Sequence, residues 1–250
     1  MVYLKRFVLM VQFLTTIPLP VKLEVKEEDF GKGLVFAPVV GLLLGCILAG
    51  AYFLLSFLFP AAVTSVLVMV VYILLTGGIH LDGLGDTFDG IFSNRPREKM
   101  LEIMRDSRVG TNAVLAVASL LLLNSALLAS FDGQSAVYVL VLMPAAGRIG
   151  SLLGSGISTY ARSGAGLGKS FIEYCGKREV IAGTIIYGMI FYAVKGLEGL
   201  LWCTIPYAAA IASTKFFSRK IGGTTGDILG AVCEINQTLF LAAAYLFIKL

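Results

Sequence analysis

Long apolar stretches alternate with shorter polar connections along almost the whole chain. Seven such stretches stand out, at 33–58, 61–80, 111–130, 136–156, 180–196, 199–216 and 232–248. Each is close to or above the ~20 residues a helix needs to cross a bilayer's hydrocarbon core. They are rich in Leu, Ala, Val, Ile and Gly and show no period-two alternation. That pattern predicts helices, because a spanning segment must satisfy its own backbone hydrogen bonds; a barrel would show short alternating runs. The expected fold is all-α: a multi-pass integral membrane protein with about seven transmembrane helices. At the amino end Lys5 and Arg6 precede an apolar run that closes on Pro18 and Pro20. With no small-residue cleavage pattern after it, this run reads as an N-terminal interfacial helix.

The polar connections differ sharply in charge, and that sets an orientation. Lys5, Arg6, Lys22, Lys26 and Lys32 precede the first stretch, and Arg95, Arg97, Lys99, Arg105 and Arg108 follow the second. Arg162, Lys169, Lys177 and Arg178 follow the fourth, and Lys215, Arg219 and Lys220 lie near 214–231. Seventeen of the twenty basic residues therefore share one side, which the positive-inside rule makes cytoplasmic. The amino terminus is expected inside the cell, in the inner membrane, and the carboxyl terminus outside.

Composition narrows the function. The chain has 250 residues, 57% hydrophobic and 14% charged, against about 25% charged in soluble domains. The net charge of +4 is spread over the cytoplasmic loops, where insertion and anionic lipid explain it, so no nucleic acid is expected as a partner. Cys46, Cys175, Cys203 and Cys233 are scattered and suggest neither disulfides nor a zinc site. The longest polar stretch is about thirty residues, too short for a core of its own. The chain is treated as one transmembrane domain, 1–250, whose chemistry must lie at the membrane face. Glycine-rich span faces point to close helix packing, either within one chain or in a homo-oligomer.

The most informative segment is TGGIHLDGLGDTFDG, Thr76 to Gly90. Asp82, Asp86 and Asp89 follow at i, i+4 and i+7, within an arc of about 60° on one helical face. Stacked carboxylates at a membrane boundary repel one another unless a cation compensates them. Mg²⁺ takes such oxygen ligands and shares them with substrate phosphates. A solvated helix end, or a cation or proton pathway, would place carboxylates there too. Downstream, Asp106 lies between Arg105 and Arg108, either as a metal and phosphate site or as a membrane-proximal ion pair.

Two glycine-rich loops face the same compartment. RSGAGLGKS at 162–170 imitates a phosphate-binding loop, but Ser163 stands where that pattern requires glycine and no strand precedes it. Gly168 and Lys169 can still offer a backbone N–H and a charge to phosphate. Asp227, in GGTTGDILG, is a helix N-cap or a further ligand. His80, the one histidine in the chain, abuts the cluster as a substrate contact, a group behind the ligands or a packing residue. Arg148 lies inside a span and must pair with a carboxylate or reach a phosphate. Trp202 reads as an anchor at the outer interface.

The runs GGIHLDGLGDTFDG, LEIMRDSRVGT and GGTTGDILGA, with FLTTIPLP near the amino end, resemble the cobalamin-5′-phosphate synthase family, also called adenosylcobinamide-GDP ribazoletransferase. The resemblance stretches from residue 13 to 231. It implies a Mg²⁺-dependent phosphotransferase that joins adenosylcobinamide-GDP to α-ribazole, or its 5′-phosphate, and releases GMP. It carries over Asp82, Asp86, Asp89 and Asp106 as metal ligands, and Asp227 as a further site residue. Asp89 or Asp227 would act as base, and Arg105, Arg108 and Lys169 would hold phosphate oxygens. A looser similarity to CDP-alcohol phosphotransferases is disfavoured, because here D-x-x-x-D (Asp82, Asp86) overlaps D-x-x-D-G (Asp86, Asp89, Gly90) within one helix. A cation-coupled transporter is the other alternative; the one-sided carboxylates and the absence of a repeat argue against it.

Overall fold

A computed structural model describes residues 2–164 and 166–249. Among these the chain forms twelve α-helices. They are α1 (Val2–Leu14), α2 (Glu27–Gly33), α3 (Ala37–Ser56), α4 (Ala61–Thr76), α5 (Ile79–Ile91), α6 (Arg97–Ile103), α7 (Thr111–Ala129), α8 (Gly133–Gly156), α9 (Leu167–Glu173), α10 (Lys177–Trp202), α11 (Thr204–Ile221) and α12 (Gly226–Lys249). An isolated bridge between Tyr160 and Thr224 ties two of the loops.

Five helical runs are long and apolar enough to cross a membrane: Glu27–Ser56, α7, α8, α10 and α12. A sixth arises only if α4 and α5, bent by 93°, count as one span. The expected stretch at 199–216 is where the structure departs from the sequence reading. It belongs to α11, whose last turns carry Lys215, Arg219 and Lys220 and whose composition falls short of a free-standing span. Even so, α11 runs the length of the bundle. Trp202, just before it, packs on Phe240 and Phe247 late in α12, whereas Ile221, at its other end, receives Arg97 beside the aspartate helix. Its buried side, Ala210, Thr214, Phe217 and Ile221, packs against α8 and α12, so neighbouring helices replace part of the lipid it would otherwise face. Trp202 itself is not an interface anchor. It is buried, stacked on Phe247 and covered by the ammonium of Lys195 at 5.0 Å.

Helix α8 is the axis of the bundle, buried on nearly every side from Val139 to Ser155. Helix α3 packs most closely on it, because Gly41 and Gly45 lack side chains where the backbone of α8 approaches; a Cβ on Gly41 would stand 2.6 Å from Ala145 Cα. These glycines serve packing within the chain. Buried inside the bundle, Arg148 of α8 donates to the Tyr72 hydroxyl and to Gln237 Oε1, both at 3.3 Å. The Tyr72 hydroxyl in turn donates to Glu234, so the arginine meets its carboxylate through a tyrosine.

Two features fix the membrane-surface layer. Gly77 and Gly78, both left-handed at φ +61° and +70°, turn the chain from α4 into α5. The last carbonyls of α4, which no residue further along its helix can satisfy, accept from Thr16: its N–H reaches Leu75 O at 2.8 Å and its hydroxyl reaches Leu74 O at 2.7 Å. Helix α1 is held against α2 by Lys5 and Arg6, which both pair with the buried Asp29. It ends at Leu14, ahead of Pro18, and its last turn brings Phe13 and Leu14 over the site.

Candidate active site

Three aspartates in thirteen residues and the 93° bend from α4 set α5 apart from the long apolar helices. Its apolar side, with Leu81 and Leu84 buried, packs on α7 and α12, which leaves the acidic ridge free. The crossing with α12 is close because both partners are glycines there. A Cβ on Gly83 would stand 2.8 Å from Asp227 O, and one on Gly230 3.2 Å from His80 Cα. That contact carries the start of α12, with Asp227, to the acidic face of α5.

The three aspartates share the ridge but not their partners. Asp82 is exposed and lines a cavity of about 220 Å³ together with His80, Ser151, Gly168 and Asp227. Asp86, between the others, is pushed up to about 7, first by burial and then by the negative charge of Asp82 and Asp227. Asp89 is already occupied. Its Oδ2 accepts from Gly110 N at 2.6 Å and its Oδ1 from Ala113 N at 2.9 Å, so it caps the first turn of α7 from a neighbouring helix. Among the described residues the trio does not converge as tightly as three buried groups deeper in the bundle: His80, Cys233 and Glu234 place donor atoms within 4.8 Å of one another.

Asp227 is not the cap of α12. Thr225 takes that place, its hydroxyl accepting from Ile228 N at 3.3 Å. Asp227 is thereby free to accept from Arg162 Nη2 at 2.7 Å and from the Thr225 hydroxyl at 3.3 Å. Arg162, which the sequence reading counted only toward topology, is thus the basic residue in direct contact with the acidic group. It also stands beside Asp86, whose ionised form it favours.

A second, more open basin of about 490 Å³ is lined by Arg105, Tyr160, Arg162, Gly168 and Asp227. It adjoins the first cavity along Leu167, Gly168, Gly226 and Asp227, which line both. The loops meet tightly there: a Cβ on Gly168 would stand 2.8 Å from Gly226 N. Arg97 holds the arrangement from below, its Nε donating to Ile221 O and its Nη2 to Ala161 O, both at 2.7 Å.

Other expected residues fall outside this centre. Asp106 and Arg108 turn toward each other on an exposed turn, with Nη2–Oδ2 at 2.6 Å; hydrogen bonds from the side chain and backbone of Arg108 hold Asp106 down to about 2. Lys169 stands at the edge of the centre, in a third basin that shares Tyr160 and Arg162 with the second, 3.7 Å from Glu173. Arg148 lies in the buried network rather than at a surface cavity, adjoining the site through His80 and Glu234.

The family model described as Cobalamin-5-phosphate synthase matches residues 6–245. The adenosylcobinamide-GDP ribazoletransferase of Acetivibrio thermocellus is 60% identical, over 99% of this chain and 100% of that protein. The protein of the same name from Clostridium acetobutylicum is 53% identical over 98% of this chain and 97% of its own length, and that of Caldanaerobacter subterraneus 41% over 94% and 96%. No solved structure matches. The chain belongs to the cobalamin-5-phosphate synthase family.

Proposed function

We propose that this chain joins adenosylcobinamide-GDP to α-ribazole, or to its 5′-phosphate, at the cytoplasmic face of the cell membrane, releasing GMP in the last assembly step of adenosylcobalamin. The observation that carries the reading is the meeting of Asp82 and Asp227 with Arg105 and Arg162 around two adjoining cavities, with Asp86 near enough to feel the charges of Asp82, Asp227 and Arg162. Diphosphate chemistry asks a protein mainly for alignment and charge neutralisation, and these side chains supply both. The acceptor hydroxyl oxygen bonds to the cobinamide-side phosphorus. The bond from that phosphorus to the bridging oxygen breaks, and GMP departs with that oxygen. Asp227, at the junction of the two cavities, accepts the hydroxyl proton, and its ion pair with Arg162 fixes its direction. Arg105 and Arg162 hold the diphosphate oxygens. Asp89 acts by capping α7, which leaves Asp227 as the base.

The donor set fits a hard divalent cation such as Mg²⁺. Its members are carboxylate oxygens, and Asp86 is raised first by burial and then by the negative charge of Asp82 and Asp227. Asp82 and Asp86 would hold the ion, which when bound neutralises phosphate oxygens. The test is direct: the purified protein in detergent is given adenosylcobinamide-GDP, α-ribazole and Mg²⁺, and GMP is measured. GMP release that stops when EDTA removes the metal is the expected result. No GMP with any acceptor would sink the assignment.

A further inference from the structure

The two adjoining cavities are chemically unlike, and the function above explains only one of them. The open basin is lined by two arginines and suits a diphosphate. The other, about 220 Å³, is lined by Asp82 and Asp227 and by an apolar wall of Phe13, Leu14, Ile79, Leu167 and Phe171. That apolar wall is built deliberately. Phe171 of α9 packs on Phe13 of α1 at 4.9 Å and on Phe30 of α2 at 5.5 Å between ring centroids, and α1 is held in place by the two ion pairs to Asp29. His80 lines it too, buried, with an Nδ1 that has no hydrogen-bond partner.

We propose that this cavity is the seat of the acceptor's base: a planar bicyclic aromatic base with few polar atoms rides against the apolar wall, and the attached ribose presents its hydroxyl to Asp227. The inference rests on the transferase reading and deepens it. Size decides among the reactants. Sites for whole drug-sized ligands run to about 300–1,000 Å³, so this cavity holds a single base and excludes the corrinoid ring. Chemistry decides between the two bases in the reaction. Guanine carries donors and acceptors around its edge, and burying them unpaired against Phe13, Leu14 and Phe171 costs binding energy. A benzimidazole-type base presents almost only apolar surface, with one ring nitrogen within the compass of His80. The charged donor is thereby sent to the basin, and the two substrates approach Asp227 from opposite sides.

The experiment uses the full chain in detergent and varies each substrate while the other is saturating. Ile79 lines this cavity and not the basin and is partly exposed, so Ile79→Trp narrows the cavity without disturbing the core. It is expected to raise KM for α-ribazole about tenfold, the scale on which small steric changes in a pocket discriminate, while KM for adenosylcobinamide-GDP stays within about twofold. Phe171→Ala should do the opposite for bulk, narrowing the preference of wild type for a benzimidazole riboside over an adenine riboside. Should Phe171→Ala fail to fold, Ile79→Trp alone decides. A rise confined to the KM for adenosylcobinamide-GDP, or equal rises for both substrates, overturns the base seat while wild-type turnover leaves the transferase reading intact. Absence of GMP from wild type would instead sink that reading.

Discussion

Asp227 and Glu234 lie seven residues apart on α12, two turns and about 10 Å along the helix axis, yet they live in different chemistry. Glu234 is buried and accepts from Tyr72, which bridges it to Arg148; Asp227 faces two cavities and holds one arginine at their edge. The contrast separates charge that is internally balanced from charge that awaits a ligand. Removing a member of the first kind strands its partner in a low-dielectric interior. Removing Asp82 or Asp86, which repel each other beside Asp227, relieves repulsion within the protein and harms only the reaction.

The sharpest way to break this contrast is Glu234→Ala, which leaves Arg148 buried with no counter-charge. A loss of about 3–5 kcal/mol is expected, read as a lower unfolding midpoint in detergent, whereas a full-strength fold with lost turnover would move the network into the active site. Next come Asp82→Asn and Asp86→Asn. Each should lower kcat by about 10²–10³-fold, the scale of losing one group that stabilises a transition state, with the unfolding midpoint unchanged or raised. Near-normal turnover in both variants would refute the acidic ridge as the reacting site. Asp89→Ala belongs to the other class despite its position. It removes the cap on α7 and should cost about 1 kcal/mol of stability, and Asp89→Asn, which keeps one acceptor, should restore part of it.

The smallest effect is a slope with pH. Asp86 holds its proton up to about 7 in the folded chain against 3.8 ordinarily. Between those values the folded state binds a proton that the unfolded state has released, so stability falls as pH rises, and the penalty is complete above 7. In metal-free buffer the wild-type unfolding midpoint should therefore decline from pH 5 to pH 8, and Asp86→Asn should flatten part of the decline. An identical slope in both proteins would show that the titrating group lies elsewhere.

The spans and the acidic ridge were legible because both are periodic: apolar runs of bilayer length, and carboxylates returning every turn or two. What the sequence withheld depends on partners distant along the chain. Arg162 stands in the glycine-rich loop that reads as a phosphate cradle, but its partner lies 65 residues away, and the positive-inside rule already accounts for an arginine in a polar connection. Asp89 shares the spacing of its neighbours, and only the fold reveals that backbone amides at Gly110 and Ala113 claim it. Gly110 carries the trace of that bond, since a Cβ there would crowd the carboxylate at 2.6 Å. Trp202 was misplaced because an indole near a predicted span end looks the same whether it meets headgroups or, as here, Phe247 and Lys195. The shortfall of α11 has the same origin: hydropathy scores a helix against lipid, and this one lies partly against protein.

Gly77 and Gly78 set the right-angled bend between α4 and α5 in the main chain itself, where side chains other than glycine's would be strained at both positions. The attitude of the acidic helix is thus a property of the chain before any reactant arrives, a standing platform and not a jaw that must close. Little ordering entropy is then left to spend when a diphosphate docks, and more of its contact energy remains for lowering the barrier.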